Sequence, residues 1–225
     1  RMRATIELAI GGWAFAILLG IPTGVFAAVK RGTFWDYIAR GVAIVGQGAP
    51  PFVIGLLLIV IFAVWLQDTP FYLPAAGRPP QFDFRNYILP CIALGWPAAA
   101  GLMRLTRSAM LEVLDSEFVK LARAKGVGWN KVIYKHALKN ALITPLTSAL
   151  LLSSGWLNGA LVIEIIFGWP GIGYDALFTA VNDNDFPLLQ GTVFFFVIIF
   201  VIFALLADLL YTIIDPRVRL TGGEK

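Results

Sequence analysis

"EFVKLARAKGVGWNKVIYKHALKNAL", Glu117 to Leu142, is a basic, glycine-broken block between stretches of nearly unbroken hydrocarbon. Its neighbours are runs of Leu, Ile, Val and Phe, so what this block faces decides how the rest of the chain is arranged. Composition names the solvent. Of 225 residues, 58% are hydrophobic and 14% charged, with a mean hydropathy of +0.77. A soluble domain needs far more surface charge, so the balance indicates a polytopic membrane protein.

Five apolar segments reach or exceed the roughly 20 residues that a helix needs to cross a bilayer core. They run over Ala4–Val29, Ile38–Trp65, Tyr87–Ala109, Ala141–Phe167 and Leu188–Ile214. The third carries Pro90 and Pro97 and ends in Arg104 and Arg107, and it is read as a span because its neighbours otherwise cannot alternate sides. No repeat or Ser/Gly/Pro-rich linker divides the chain, so residues 1–225 read as one all-α membrane domain. The single cysteine, Cys91, rules out an internal disulfide and any cluster of cysteine ligands.

Loop charge sets orientation. Lys30, Arg31 and Arg40 lie in the first connection, and Arg104, Arg107, Lys120, Arg123, Lys125, Lys131, Lys135 and Lys139 in or beside the block. Arg217, Arg219 and Lys225 follow in the tail, while the last opposite loop, Gly168–Pro187, holds Asp175, Asp183 and Asp185 without Lys or Arg. The positive-inside rule places block and tail in the cytoplasm and the N-terminus outside. An outside N-terminus beginning at Arg1 without a signal segment leads to the expectation of one further helix upstream.

Within the block the pattern predicts a hairpin of two short helices, over about residues 112–140. Asp115 or Ser116 is placed to cap the first, Glu117 lies in its first turn, and Arg123 and Lys125 in its last. Gly126 follows where a left-handed residue commonly ends a helix. Asn130 is a candidate cap for the second helix, along which Lys131, Lys135 and Lys139 oppose Ile133, Ala137 and Ala141. Phe118, Leu121, Ala122 and Lys125 form a narrow face on the first. By charge and amphipathicity alone, a segment resting on anionic lipid fits equally well. The glycine break among Ala122, Ala124, Gly126 and Gly128, with bulky Trp129 beyond it, favours docking by another protein.

The stretch "ARAKGVGWNKVIYKHALKNALI" resembles the cytoplasmic coupling loop of bacterial ATP-binding-cassette importer permeases of the peptide/nickel (oligopeptide and dipeptide permease) subfamily. Ala122, Gly126 and Leu138 match the general importer loop, and "ARAKG" followed by "HALKNALI" resembles the peptide subfamily closely. Ile143-Thr144-Pro145 stands where that subfamily has Ile-Pro directly. "ELAIGGWAFAILLGIPTGVFAAVKRGTFWD", "EIIFGWPGIGYDALFTAVNDNDFPLLQG" and "ADLLYTIIDPRVRL" extend the resemblance over nearly the whole chain, in the subfamily's order. It implies six spans with one before Arg1, and a subunit that forms the pathway for peptides or a related small solute. Dipeptides, oligopeptides, glutathione and nickel are the cargoes of such relatives.

The same resemblance implies the partners: two cassette ATPase domains, a second homologous permease, an external binding protein, and the lipid of a bacterial cytoplasmic membrane, with no nucleic acid. No G-x-x-x-x-G-K-[ST] phosphate loop occurs, so ATP and Mg²⁺ are expected on the ATPase partners and no cofactor on this chain. Glu117, Leu121, Ala122, Ala124, Lys125, Gly126, Val127, Gly128, His136 and Leu138 are the expected coupling residues. Two other classes compete: an ion-coupled secondary transporter, which calls for midplane acids and an inverted repeat, and a membrane scaffold with a lipid-bound basic segment.

Three residues are read as candidates for a gate or pathway. Glu164 and Trp169 lie at the external end of the fourth segment, with a simple interface as the other reading of Glu164. Asp208 either pairs with Arg104 or Arg107 near the cytoplasmic face or reaches water. His136, the single histidine, has no second ligand nearby and suits a hairpin contact better than a metal. No Ser-His-Asp set or carboxylate pair suggests catalysis.

Overall fold

Every fourth residue of the first helix, α1 (Met2–Val29), is buried: Ala4, Leu8, Gly12, Ala16, Gly20 and Gly24. Residues at that spacing form one ridge, and small side chains on it let two backbones approach closely. The partner is α4 (Arg85–Leu114), the most extensive helix pair in the fold. The fit leaves no room for a methyl group. A Cβ on Gly20 would lie 2.6 Å from the Ala99 carbonyl, on Gly24 2.6 Å from that of Met103, and on Gly95 2.5 Å from that of Gly12. The α1–α4 pair is the spine on which the other helices lean.

In the computed structural model the described residues are 1–75, 77–79, 81–153 and 156–214. The basic tail lies outside them, as does the side chain of Asp208. Among the described residues the structure is helical, without strands. Between α1 and α4 come α2 (Phe34–Gly48) and α3 (Pro51–Trp65), whose second half, Ile59–Trp65, is wound as a π-helix. After α4 follow the short α5 (Glu117–Ala124), a continuous helical run α6 over 129–141, α7 (Ile143–Ser153), α8 (Trp156–Phe167), a further helical stretch α9 over 173–182, and α10 (Phe186–Ile214).

Three of the five expected spans are single long apolar helices, α1, α4 and the start of α10. Pro90 and Pro97 lie inside α4 without ending it. Of the other two expected spans, one is broken. Ile38–Trp65 is two helices bent by 108°, because Ala49 and Pro50 are extended, with ψ of 126° and 144°. Proline disfavours helical geometry in the residue before it and lacks the N–H that would continue the ladder, so the Pro50-Pro51 pair breaks the span. Pro51 then sits in the first turn of α3, where that N–H is not needed. The fourth segment holds α7 and α8, with residues 154–155 between them outside the described residues.

The main apolar cluster joins Leu8 and Ala16 of α1, Leu89 and Leu102 of α4, and Ile163 and Phe167 of α8. A second, at the opposite end, joins Val25 and Ala28 of α1, Met110 of α4, and Ile133, Ala137 and Ala141 of α6. This second cluster carries the basic block.

Candidate functional site

The hairpin begins where α4 ends. Asp115 terminates α4 rather than capping α5, and its carboxylate pairs with Arg31 at 3.2 Å, tying the α1–α2 turn to the hairpin base. Ser116 holds the extended geometry of an N-cap, but its hydroxyl donates back to the Val113 carbonyl and makes no cap bond. On α5, Val119 is 1% exposed and anchors the helix, while Phe118 and Leu121 are 45% and 56% exposed. Ala124 and Lys125 are also exposed, and Ala122 and Val127 half-buried. The Glu117 carboxylate lies 2.7 Å from the Lys120 ammonium and holds it above its ordinary lysine range.

Gly126 ends α5 with φ of 79°. Its N–H donates to the Arg123 carbonyl at 2.9 Å, and the Val127 N–H to the Ala122 carbonyl at 3.2 Å. Those two bonds make a Schellman cap, the ending that glycine permits because it lacks a Cβ. Gly128 has φ of −59° and stands in the capping position before Trp129, so Asn130 lies inside α6 instead of capping it. Across the turn the Arg123 guanidinium sits over the Trp129 ring, 5.0 Å from its centroid. This contact holds the two legs together.

Along α6, Lys131, Lys135 and Lys139 are exposed and Ile133, Ala137 and Ala141 buried, as their spacing predicts. A π-helical stretch, Val132–Ala137, shifts the register between them. Leu138 packs against the inner cluster with Met110 and Val25, so it is part of the hairpin's root. His136 is half-buried, and its carbonyl accepts the Asn140 amide at 2.9 Å. The free surface therefore lies on α5 and the turn, and the attachment lies on α6.

Glu164 and Trp169 meet at the opposite end, as core residues. Glu164 is fully buried. Its Oε2 accepts the N–H groups of Gly173 at 2.7 Å and Tyr174 at 3.3 Å, and its carbonyl accepts that of Trp169 at 2.8 Å. Trp169, also fully buried, donates Nε1–H to the Ala4 carbonyl at 3.0 Å and lies edge-on to Tyr87 at 4.7 Å. Tyr87 in turn donates to Glu7 at 3.0 Å, which also accepts Arg78 at 2.8 Å. They fasten the loops at this end to α1 and α4. The sequence signal for this cluster was Glu7, an acid within an apolar span.

Arg107 is held by Asp36 of α2, and the expected pairing of Asp208 lies outside the described residues. Arg104, one turn earlier, lines a cavity. Leu94, Pro97, Gly101, Arg104 and Ser108 form one stripe of α4 along two cavities of about 370 and 690 Å³ that share Gly101 and Leu152. Fourteen helical steps of 1.5 Å from Leu94 to Ser108 make this stripe about 21 Å long. Ser148 and Leu152 of α7 and Gly159 of α8 line the facing wall, and Gln47 lies at the α2–α3 break. The arrangement is an open groove through most of the apolar layer, walled by the helices attached to the hairpin. Among the described residues no group of His, Cys, Asp and Glu could hold a metal ion.

Residues 20–220 match the family described as binding-protein-dependent transport system inner membrane component. The chain is 41% identical to the dipeptide transport system permease protein DppB of Alkalihalophilus pseudofirmus, across 97% of this chain and 72% of that one. It is 36% identical to DppB of Escherichia coli K12, across 97% and 71%. Its fold is similar to that of the MetNI methionine ABC transporter in inward-facing conformations, with TM-score 0.69 and 16% identity over 94% of this chain and 93% of that one. A multi-span helical bundle, a basic helical hairpin and a family match over nearly its whole length lead to one assignment: the chain belongs to the binding-protein-dependent transport system inner membrane components, as a multi-pass permease subunit of an ABC importer.

Proposed function

We propose that this permease carries peptides across a bacterial inner membrane, receiving them from an external binding protein and drawing its energy from ATPase domains docked on α5. The observation that supports this most directly is the division of labour in the hairpin. Phe118 and Leu121 are exposed on a helix held by one buried residue, Val119, while Leu138, Ile133 and Ala137 root the second leg on α1 and α4. A partner that grips the exposed leg therefore moves the helices behind the rooted one. ATP and Mg²⁺ belong to that partner, and Glu117, Ala122, Lys125 and the Gly126–Gly128 turn belong to the contact.

A second homologous permease closes the open groove along α4 into a passage. The two-state logic is ordinary: ATP closes the ATPase pair, the hairpin follows, and the attached helices exchange an inward-open for an outward-open arrangement. The 36–41% identity to dipeptide permeases supports peptides as the cargo.

The test is reconstitution of the co-expressed importer in liposomes with its binding protein. Peptide-loaded binding protein should stimulate ATP hydrolysis and drive accumulation of labelled peptide. ATP hydrolysis indifferent to the binding protein, or stimulation without peptide accumulation, would refute the proposal.

A further inference from the structure

We infer that Arg104 is an anion-binding position in the groove, which holds the terminal carboxylate of a peptide as it leaves the passage toward the cytoplasm. This inference rests on the peptide-import reading above. Three observations carry it. Arg104 lines the larger cavity, about 690 Å³, together with Ser108 one turn further along α4 and Ser148 on the facing helix. Among the described residues, the side chains of Arg104, Ser108 and Ser148 make no hydrogen bond or ion pair with one another or with any neighbour. The nearest cation on the same helix, Arg107, is by contrast fully engaged by Asp36.

An unpaired guanidinium ten residues before the inner end of a 30-residue apolar helix is costly unless it serves a water-filled route or a ligand. Among the described residues the remaining lining of that cavity is leucine and glycine, so the guanidinium and two hydroxyls are the polar side chains they bring to it. A pocket of a few hundred Å³ with few convergent polar groups has the usual anatomy of a small-ligand site. Guanidinium recognises a carboxylate through two parallel N–H donors, and the flanking hydroxyls can donate to either oxygen. A free peptide terminus supplies that carboxylate. A net-anionic lipid headgroup and an acid from the second permease are the other sources of the same charge.

The experiment uses the reconstituted importer with two probes: a peptide with a free C-terminal carboxylate, and the same peptide as its C-terminal amide. Affinity of the binding protein for each is measured separately, so that the rate per captured molecule is compared. Wild-type protein should move the free acid at least fivefold faster than the amide. Arg104→Gln should slow the free acid about tenfold, leave its half-saturating concentration unchanged, and leave the amide rate as it was; Arg104→Lys should recover most of the loss.

Equal rates of the two probes in wild type, or an equal loss for both in Arg104→Gln, would overturn the assignment. So would loss of the second permease from purified Arg104→Gln complex, which would mark an intersubunit ion pair. Disappearance of the variant's defect in purely zwitterionic liposomes would mark a lipid headgroup and overturn it likewise. Failure of the wild-type complex to import either probe would instead sink the peptide-import reading, and this role with it.

Discussion

Arg107 holds Asp36 with two nitrogens: Nε donates to Oδ1 over 2.7 Å and Nη2 donates to Oδ2 over 2.8 Å. The carboxylate is 1% exposed, and the Gly32 N–H donates to it as well at 3.0 Å. Arg40 stands near at 3.5 Å, too long for a strong bond. One acid thus joins the α1–α2 turn, α2 and α4 at the end of the bundle that carries the hairpin.

Removing one partner of a buried pair strands the other charge and costs about 3–5 kcal/mol, whereas removing both costs less. Asp36→Ala and Arg107→Ala are each expected to lower the melting temperature of the purified importer in lipid nanodiscs, with the double variant falling short of their sum by at least about 1 kcal/mol. Additive losses would show that the two residues act independently.

The α1–α4 spine makes a second prediction. A side chain at Gly24 meets the Met103 carbonyl and the Thr106 side chain, each 2.6 Å from its Cβ. Backbone cannot yield as a flexible side chain can, so Gly24→Val is expected to cost at least the roughly 1–3 kcal/mol typical of overpacking and to reduce folded protein in the membrane severalfold. Gly41, whose Cβ would meet nothing within 4 Å, is the control: Gly41→Ala should leave the level unchanged. Quantitative immunoblots of membranes check both.

The long helices were legible because α1, α4 and α10 carry apolar residues in long runs, and length alone separates such runs from soluble helices. The four-residue spacing of Gly12, Ala16, Gly20 and Gly24 was also present in the sequence, yet nothing local told which helix it would meet. The Ala49-Pro50-Pro51 break was visible as prolines but not as a 108° bend, since membrane helices also accommodate proline, as α4 does at Pro90 and Pro97. In the hairpin, Gly126 and the lysine stripe followed from local rules. Val119 did not, because an eight-residue helix offers too few turns for its buried side to be distinguished. The Asp36–Arg107 clamp spans 71 residues, and only the folded chain brings its ends together.

Orientation follows from which charges share an end of the bundle. Arg78 pairs with Glu7 near the start of α1, and Arg31 pairs with Asp115 beyond its other end, where Lys131 also lies. With Cys91 replaced, single cysteines at Arg78 and Asp183 should react with a membrane-impermeant thiol reagent in intact cells. A cysteine at Lys131 should react only after permeabilisation. Labelling at 131 from outside would reverse the topology.

The hairpin yields the sharpest contrast, because Gly126 and Gly128 differ in what glycine does there. At both positions a Cβ would meet open space, so neither substitution causes a clash. Gly126, however, has φ of 79°, and a β-branched residue is strongly disfavoured in that region. Gly126→Val must therefore unwind the Schellman cap, free the Ala122 and Arg123 carbonyls and turn α5 away from α6. Gly128, at φ of −59°, accepts alanine without strain. If α5 is where ATPase domains dock, Gly126→Val should leave the chain in the membrane at near-normal level while cutting binding-protein-stimulated ATP hydrolysis and uptake by at least tenfold. Gly128→Ala should stay within twofold of wild type, and so should Lys131→Ala on the solvated stripe. Uptake, ATP hydrolysis and retention of the ATPase on the purified permease separate the outcomes. A basic segment that merely rests on lipid would show the reverse order, with the lysine change doing the most harm, since lipid attraction depends on charge and is indifferent to the geometry of one turn.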